Sequence, residues 1–396
     1  MKRGSQACSF SARRKRGFSR RDNSRNIWLL GSSSFLNDLG AEIIVPILPF
    51  YILMLGGGGV TIGLISGLRD GLSSIFKIFG GYISDETGKR KPIIFLGYLI
   101  STIFKFLIVF ANSWQYLLAF VSLERFGKFR DAPRDALISF DKKHKGRDFG
   151  IAQTLDVLGG IFGTVIVLIL FWKFQIQIGR IIFIAACISS LSLIPIFFVK
   201  EHQVKKIKKS LFREIMDFKG KLKYFLFVSS IFSFANFGLY LFLILIAKEF
   251  TGSIAIALLF YVLFNVVYAV FLVPFGKLSD KIGSKKILVA GYFLFLTVTL
   301  GLFFFTKIQH LAIIFSIYGL VYAMIYSSQR KIVSDFSDGM KGTAFGAFYT
   351  FTGISSIIGG TIAGALWNTS HQVMFAYLSG VAFLAMILLL FIKNND

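Results

Sequence analysis

The sequence predicts an all-α membrane protein whose twelve transmembrane helices form two pseudo-symmetric bundles of six. Three observations support this fold class. The 396-residue chain is 55% hydrophobic, apolar runs of about 20 residues recur along it, and charged segments separate those runs. A soluble domain cannot bury that much apolar surface, whereas about 20 apolar residues in a helix cross a hydrocarbon layer of roughly 30 Å. The predicted spans are 27–55, 60–84, 92–111, 115–138, 148–171, 179–199, 224–247, 253–278, 286–305, 309–330, 343–367 and 372–392.

The net charge of +24 is concentrated in every second loop. The loops at 56–59, 112–115 and 367–372 contain no Lys or Arg. Basic residues instead crowd the N-terminal arm and the segments 89–91, 142–147, 200–223, 281–286 and 330–341. This positive-inside pattern predicts a multi-pass protein of the inner (cytoplasmic) membrane with both termini in the cytoplasm. It argues against nucleic-acid binding, which needs basic residues on one folded face.

These segments divide the chain into five parts. They are a basic cytoplasmic arm (1–26), an N-terminal bundle (27–199), a cytoplasmic linker (200–223), a C-terminal bundle (224–392) and a tail (393–396). The arm suits a position near anionic lipid, and its Arg- and Ser-rich composition also fits a transit peptide. The linker is either an amphipathic helix on the membrane surface or a plain connection. Cys8 and Cys187 are too far apart in this topology to form a disulfide.

An internal repeat relates the two bundles. The segment GYISDETGKR at 81–90 returns as GKLSDKIGSKK at 276–286, which places Asp85 and Asp280 195 residues apart. KGRDFG at 145–150 returns as KGTAFG at 341–346, and Arg134 corresponds to Arg330, both with an offset of 196 residues. Two homologous halves predict a pseudo-two-fold axis along the membrane normal and a binding site between the halves near mid-membrane.

These motifs resemble those of the major facilitator superfamily of membrane transporters over essentially the whole chain. The repeated loop resembles the superfamily signature G-x-x-x-D-[RK]-x-G-[RK]-[RK], with Lys281 kept in the second copy and Glu86 replacing the basic residue in the first. ERFGKFRDAPRDALI at 124–138 resembles the fourth-span motif of a largely unassigned prokaryotic branch. FGIAQTLDVLGGIFG at 149–163 resembles the fifth span of that branch.

Three glycines in the fifth span, Gly150, Gly159 and Gly163, resemble the superfamily's antiporter signature G-x8-G-x3-G-P, with Thr164 in place of the proline. The resemblance implies transport by alternating access and favours export. Small residues also let helices pack closely, so we assign these glycines to helix packing.

The repeated loop is predicted to be a gating hinge. Spans five and eleven begin at the same membrane level, and their first N–H groups carry the positive end of the helix dipole. Asp85 is expected to anchor on the start of span eleven, and Asp280 on the start of span five. The alternative is a tight turn with a solvated aspartate. The hinge residues are Gly81, Asp85, Gly88, Arg90, Gly276, Asp280, Gly283 and Lys285.

Acidic residues inside the spans are candidates for proton coupling. Each charge at the bilayer centre costs about 2.5–3.5 kcal/mol, so these side chains must face protein or a wet cavity. Asp38 and Glu42 are four residues apart and share a helix face, and Asp156 lies in span five. The four histidines, His144, His202, His310 and His371, lie in loops or at the edge of a span, so a carboxylate is expected to carry the proton if protons drive transport. The alternative is a set of structural ion pairs that lock spans one, two, four and five together.

The two halves differ in the residues predicted to line a cavity. In the N-terminal half the candidates are charged: Arg69, Asp70, Lys105, Glu124 and Arg125. In the C-terminal half they are neutral: Asn236, Tyr240, Asn265 and the tyrosine ladder Tyr318, Tyr322 and Tyr326. The ladder has the helical spacing of four residues, and core packing is its alternative interpretation.

The sequence therefore predicts a secondary active transporter of a small organic solute, coupled to protons, with efflux by antiport favoured over uptake by symport. The alternatives are an uncoupled facilitator and a non-transporting sensor or scaffold. The chain has no Walker A motif, and its spans lack a Ser–His, Cys–His or metal-ligand constellation. We therefore expect no enzyme activity, cofactor or metal. The expected partners are the solute, protons and lipid, and the expected state is a monomer.

Overall fold

The structure, a computed structural model, describes residues 20–138, 145–201, 220–304, 308–337 and 341–392. Twelve helical rods follow one another in these ranges. They are α1 (Arg20–Ile44, Val45–Ile47, Leu48–Met54), α2 (Gly59–Thr87), α3 (Lys91–Val109), α4 (Trp114–Phe126, Gly127–Arg130, Asp131–Ile138), α5 (Lys145–Trp172), α6 (Ile178–Ser190, Leu193–Phe197), α7 (Gly220–Ala235, Tyr240–Thr251), α8 (Ile254–Ile282), α9 (Ser284–Phe304), α10 (Ile308–Phe336), α11 (Lys341–Thr369) and α12 (His371–Leu390).

Two boundaries differ from those expected. The first rod begins at Arg20, inside the segment assigned to the arm, and α7 begins at Gly220, inside the segment assigned to the linker. The rest of that linker, residues 202–219, lies outside the described residues. A three-residue 3-10 turn, Val45–Ile47, interrupts α1 at Pro46. Proline has no N–H to donate to the preceding turn of the helix.

Ten of the twelve rods are long and apolar enough to cross a membrane, counted over the described residues. The two that fail this test are α2 and α4, which carry charged side chains along their lengths. Arg69 and Asp70 lie within α2, and Glu124 and Arg125 lie within α4. Their charge is tolerated only where it is enclosed by the other rods.

The two halves repeat each other in three dimensions as well as in sequence. The rods α2 and α8 have the same length of 29 residues. A Cβ atom placed on Gly163 would lie 2.4 Å from the Leu39 carbonyl oxygen, and one on Gly359 would lie 2.3 Å from that of Phe234. In each half, therefore, a glycine brings the fifth helix against the backbone of the first.

We name the two sides of the molecule by the ends of the chain. The terminal face is the side at which α1 begins and α12 ends, and the far face carries the loops at 55–58, 110–113, 173–177 and 252–253. At the far face, the Gly59 N–H donates to Asn368 Oδ1 at 2.9 Å. The Ser66 hydroxyl donates to the carbonyls of Phe237 and Gly238 at 3.0 and 2.8 Å. These bonds join the two halves and close the far face.

A seam of glycines between α2 and α11 makes that closure tight. A Cβ on Gly63 would lie 1.9 Å from the Gly360 carbonyl oxygen, and one on Gly360 would lie 2.3 Å from that of Gly63. Gly59 with Gly364, and Gly71 with Gly353, repeat this contact along the seam. Because no side chain separates the helices, their backbones touch.

A larger residue at this seam is expected to force the far face apart. In Gly360→Leu, the new side chain meets the Gly63 backbone, which has no rotamer that can move aside. Spin labels at the exposed far-face positions Met54 and Phe250 should report a longer distance by pulsed electron resonance. The matched control is Gly380→Leu, whose Cβ would meet nothing within 4 Å. Equal distances in both variants would contradict closure through this seam.

Candidate functional site

A cavity of about 230 Å³ lies between the two halves. The N-terminal half contributes only α2 to its wall, and the C-terminal half contributes α7, α10 and α11. Its lining residues are Asp70, Ser74, Ser233, Asn236, Tyr322, Ile325, Tyr326, Gln329, Arg330, Phe348, Tyr349, Thr352, Gly353 and Ser356. The internal repeat predicted a binding site between the halves, and this cavity lies there.

Four of the predicted cavity residues lie in this wall: Asp70, Asn236, Tyr322 and Tyr326. The third member of the tyrosine ladder does not. Tyr318 is fully buried, donates to Asn236 Oδ1 at 3.2 Å and stacks on Phe264. Thus Tyr322 and Tyr326 lie in the cavity wall. Tyr318 lies in the core and orients the wall residue Asn236 through its hydrogen bond.

The other predicted cavity residues do not line this cavity: Arg69, Lys105, Glu124, Arg125, Tyr240 and Asn265. Lys105 is only 1% exposed. It donates to Asn37 Oδ1 at 2.9 Å and to the Ser189 hydroxyl at 2.9 Å. A buried ammonium needs all these acceptors to replace water, so Lys105 joins α1, α3 and α6 as a structural group.

Glu124 is held in the same manner. Ser101 donates to its Oε1 at 2.6 Å, and Arg125 Nε lies 2.7 Å from its Oε2, although this N–H is not aligned for a hydrogen bond. Lys105 Nζ lies 4.0 Å away. These contacts join α4 to α3, whereas the alternative interpretation expected ion pairs that lock spans one, two, four and five together.

Arg69 differs from Lys105 and Glu124 in its hydrogen bonding. The residue is only 6% exposed, yet its Nε has no hydrogen-bond partner among the described residues. The charges of Glu42, Glu124 and Asp70 act on it. Asn265 uses its amide to donate to the Tyr261 carbonyl of its own helix at 3.1 Å. Tyr240 packs its ring 5.9 Å from that of Tyr261.

Glu42 connects the two halves. The hydroxyl of Tyr261 on α8 donates to Glu42 Oε2 on α1 at 3.0 Å. A Cβ on Gly163 would lie 3.0 Å from Glu42 Cβ, so this glycine leaves the room that the glutamate needs. The charges of Arg69 and Arg125 also act on the carboxylate.

The other two candidate acids form ion pairs inside the N-terminal half. Asp38 Oδ1 lies 3.5 Å from Lys128 Nζ. Arg134 Nη2 donates to Asp156 Oδ2 at 3.2 Å and to Asp135 Oδ1 at 3.0 Å. The two pairs act on each other through their charges. The sequence reasoning named the acids but did not name Lys128 or Arg134 as their partners.

The glycines assigned to helix packing lie against α1 where the structure describes them. A Cβ on Gly159 would lie 2.5 Å from the Phe35 carbonyl oxygen, and Gly163 meets Leu39 in the same way. Gly150 lies in α5 but outside the residues whose side-chain surroundings are described.

Two of the four glycines in the repeated loop have a positive φ angle. Gly88 and Gly283, which follow α2 and α8, have φ values of +69° and +97°. Only glycine reaches this region without strain. Gly81 sits near Ala132, and a Cβ on Gly276 would meet nothing within 4 Å.

The charged hinge residues fasten the ends of the rods. Arg90 donates to the Ala136 carbonyl at the end of α4, and Lys285 donates to the Leu390 and Ile392 carbonyls at the end of α12. Cations at helix C-termini compensate the exposed carbonyls. Asp280 forms an ion pair with Lys331 of its own half. The Asp85 side chain and those of residues 145–150 lie outside the described residues, so the crossed anchoring remains a prediction.

Sequence reasoning missed seven polar members of the cavity wall and the tyrosine that binds Glu42. The missed wall residues are Ser74, Ser233, Gln329, Arg330, Tyr349, Thr352 and Ser356. Arg330 had a signal, because it corresponds to Arg134 in the repeat. Tyr261 had none, since a tyrosine in an apolar run looks like ordinary core. No group of three His, Cys, Asp or Glu side chains suited to a metal occurs in the part of the chain that the structure describes.

Comparisons with known proteins agree with this architecture. The family model of the Major Facilitator Superfamily matches residues 30–243 and 224–396. An uncharacterized MFS-type transporter of Methanocaldococcus jannaschii is 43% identical over 94% of this chain and 96% of its own length. The multidrug resistance protein MdtH of Photorhabdus laumondii subsp. laumondii is 24% identical over 84% of each chain.

The fold is shared with solved transporters. The nucleoside transporter NupG, as its D323A mutant, superposes with a TM-score of 0.78 at 15% identity, over 93% of this chain and all of NupG. This likeness and the family match confirm the predicted fold class and family. The chain is therefore a multi-pass membrane transporter that belongs to the Major Facilitator Superfamily.

Proposed function

We propose that this protein exports a small organic solute by alternating access, in exchange for protons. The observation that carries this proposal is the hydrogen bond between Tyr261 and Glu42. It joins the two halves beside the cavity, and its strength depends on the protonation of one carboxylate.

The link between proton and motion follows from the chemistry of that bond. An ionised carboxylate accepts a charge-assisted hydrogen bond, which is roughly twice as strong as a neutral one. A proton on Glu42 removes this assistance and weakens the link between α1 and α8. Proton binding then biases the balance between two arrangements of the halves, since such a balance amounts to only a few kcal/mol.

Asp38 and Asp156 supply further proton-binding groups in the same half. Each is paired with one cation, Lys128 or Arg134, and a proton on either acid releases that cation. Asp38 lies one helical turn from Glu42 on α1, so the acids form a path between the terminal-face side of the bundle and the link to Tyr261.

The arrangement described here corresponds to one of the two states. Its far face is closed by the α2–α11 seam, and its cavity is lined by the terminal-face halves of α10 and α11. In the other state we expect the terminal face to close through the repeated hinge. Asp85 would then approach the start of α11, and Asp280 would leave Lys331 for the start of α5. The ion pair to Lys331 is exposed and contributes only about 0–1 kcal/mol, so it is easily exchanged.

Export is favoured by the glycine pattern of α5 and by the similarity to MdtH, which is named a multidrug resistance protein. We place the protein in the cytoplasmic membrane, with its terminal face in the cytoplasm, because the basic loops lie on that face. We further propose that it works as a monomer in lipid, since both halves of the cavity come from one chain.

The first prediction concerns coupling. Glu42→Gln keeps an oxygen that accepts from Tyr261 but cannot take up a proton, and Asp38→Asn tests the second acid in the same way. In liposomes with an imposed pH gradient and a panel of chemically diverse solutes, we expect solute-dependent proton flux to fall to the protein-free level in at least one variant. The control is Asp335→Asn, which replaces an exposed acid.

The outcomes separate the alternatives. Unchanged flux in both variants would remove the carrier assignment. Solute flux without proton movement in the unmodified protein would indicate an uncoupled facilitator, and solute binding without any flux would indicate a sensor. The direction of the gradient that accelerates the solute distinguishes export from uptake.

The second prediction concerns the link between the halves. Tyr261→Phe removes the hydrogen bond but leaves Glu42 able to bind a proton, so the conformational balance should shift and should depend less on the protonation of Glu42. A hydrogen bond to a charged group contributes about 1.5–3 kcal/mol, which corresponds to roughly a 10- to 100-fold change in that balance. Distances between spin labels at Met54 and Phe250 should show more of the state that is open at the far face. An unaltered distance distribution would mean that this bond does not hold the halves.

A further inference from the structure

Two residues of opposite charge share the cavity and come from different halves. Asp70 projects from α2, and Arg330 projects from α10. Among the described residues, neither has a carboxylate or cation within ion-pair distance, and they do not pair with each other. More distant charges act on both, namely Arg69, Arg125 and Lys77 on Asp70 and Asp135 on Arg330. The cavity therefore presents one acid and one base that the protein leaves available.

The internal repeat shows that the acids around Arg134 have no acidic equivalents around Arg330. Its counterpart Arg134 is held by Asp135 and Asp156. With the offset of 196 residues, the corresponding positions in the C-terminal half are Lys331 and Thr352. Each acid that neutralises the first guanidinium is thus replaced by a cation or a neutral residue around the second. Arg330 therefore has no acid at either of the positions that supply the counter-ions of Arg134.

Arg330 is oriented for a ligand by an aromatic contact. Its guanidinium carbon lies 3.7 Å from the centre of the Tyr326 ring. Stacking fixes the plane of the group and leaves its N–H edge free, and this edge binds a carboxylate or phosphate through two parallel bonds.

Asp70 is the acidic residue of the cavity, and the repeat offers a comparison for it as well. Its counterpart in the C-terminal half is the neutral Asn265. The carboxylate of Asp70 accepts no hydrogen bond from the described side chains. A half-buried carboxylate without a partner is unfavourable, and an ammonium group of a ligand would relieve that cost.

We propose that the cavity selects zwitterionic solutes, with Arg330 binding the anionic group and Asp70 binding the cationic group. This inference rests on the proposed transport function and names the class of its substrate. The volume of about 230 Å³ lies below the roughly 300–1,000 Å³ of pockets for drug-sized ligands, which indicates a small solute. Tyr322, Tyr326 and Tyr349 give its body an aromatic lining. A solute with one charge leaves either Asp70 or Arg330 unpaired, which disfavours its binding.

Binding to the purified full-length chain in detergent tests the proposal. Two series of probes are titrated by calorimetry: L-tyrosine with tyramine and 3-(4-hydroxyphenyl)propionate, and glycine betaine with choline and 3,3-dimethylbutyrate. In each series the first compound is the zwitterion and the others lack one charge. We expect a zwitterion from at least one series to bind about tenfold or more tightly than both of its analogues.

Variants assign the two charges. Arg330→Gln should remove the advantage of the zwitterion over the cation, and Asp70→Asn its advantage over the anion. Arg330→Lys and Asp70→Glu keep the charge and should keep the preference, which shows that the site has survived the substitution. The controls Arg180→Gln and Asp335→Asn make the same chemical changes at exposed positions and should bind as the unmodified protein does.

Three results would overturn the proposal: no binding of either zwitterion, equal binding of zwitterion and analogues, or a preference that survives both neutralising variants. These results are independent of transport. Zwitterion binding without flux in liposomes would contradict the transport function and leave this assignment intact. Flux of singly charged solutes without zwitterion binding would support the transport function and contradict the zwitterion assignment.

Discussion

The cost of placing a charge in hydrocarbon governs how this structure is organised. The charged rods α2 and α4 are the two that fail as simple membrane spans, and their charged side chains Arg69, Glu124 and Arg125 are buried inside the bundle. Inside this enclosure nearly every charge is paired or solvated by protein oxygens, as Lys105 illustrates with its bonds to Asn37 and Ser189. A charged group without an ion-pair partner in such an environment is therefore informative, and the exceptions among the described residues include Arg69 as well as Asp70 and Arg330 at the cavity.

The halves share a fold but divide the chemistry. In the N-terminal half, Glu42, Asp38 and Asp156 lie among cations. The C-terminal half supplies most of the cavity wall, with tyrosines and one guanidinium. The contact between Tyr261 and Glu42 joins these two functions. The same architecture therefore carries acids at positions 135 and 156 of one half and Lys331 and Thr352 at the corresponding positions of the other.

The fold was predictable from sequence because span length, loop charge and the repeat all report on it independently. The site was harder to predict from the sequence. Spacing of four residues placed Tyr322 and Tyr326 on one face, but it also placed Tyr318 there, which the structure puts in the core against Phe264. Periodicity identifies a face of a helix and does not say where along the helix a cavity begins. Contacts between halves, such as that of Tyr261, depend on tertiary placement and leave no local pattern.

The seam between α2 and α11 has a consequence for the speed of the transport cycle. Its glycines, such as Gly63 and Gly360, bring backbone against backbone, so separating the helices requires no side-chain rotamer to change. The hydrogen bonds of Gly59 with Asn368, of Ser66 with Gly238 and of Tyr261 with Glu42 must, in contrast, break when the far face opens.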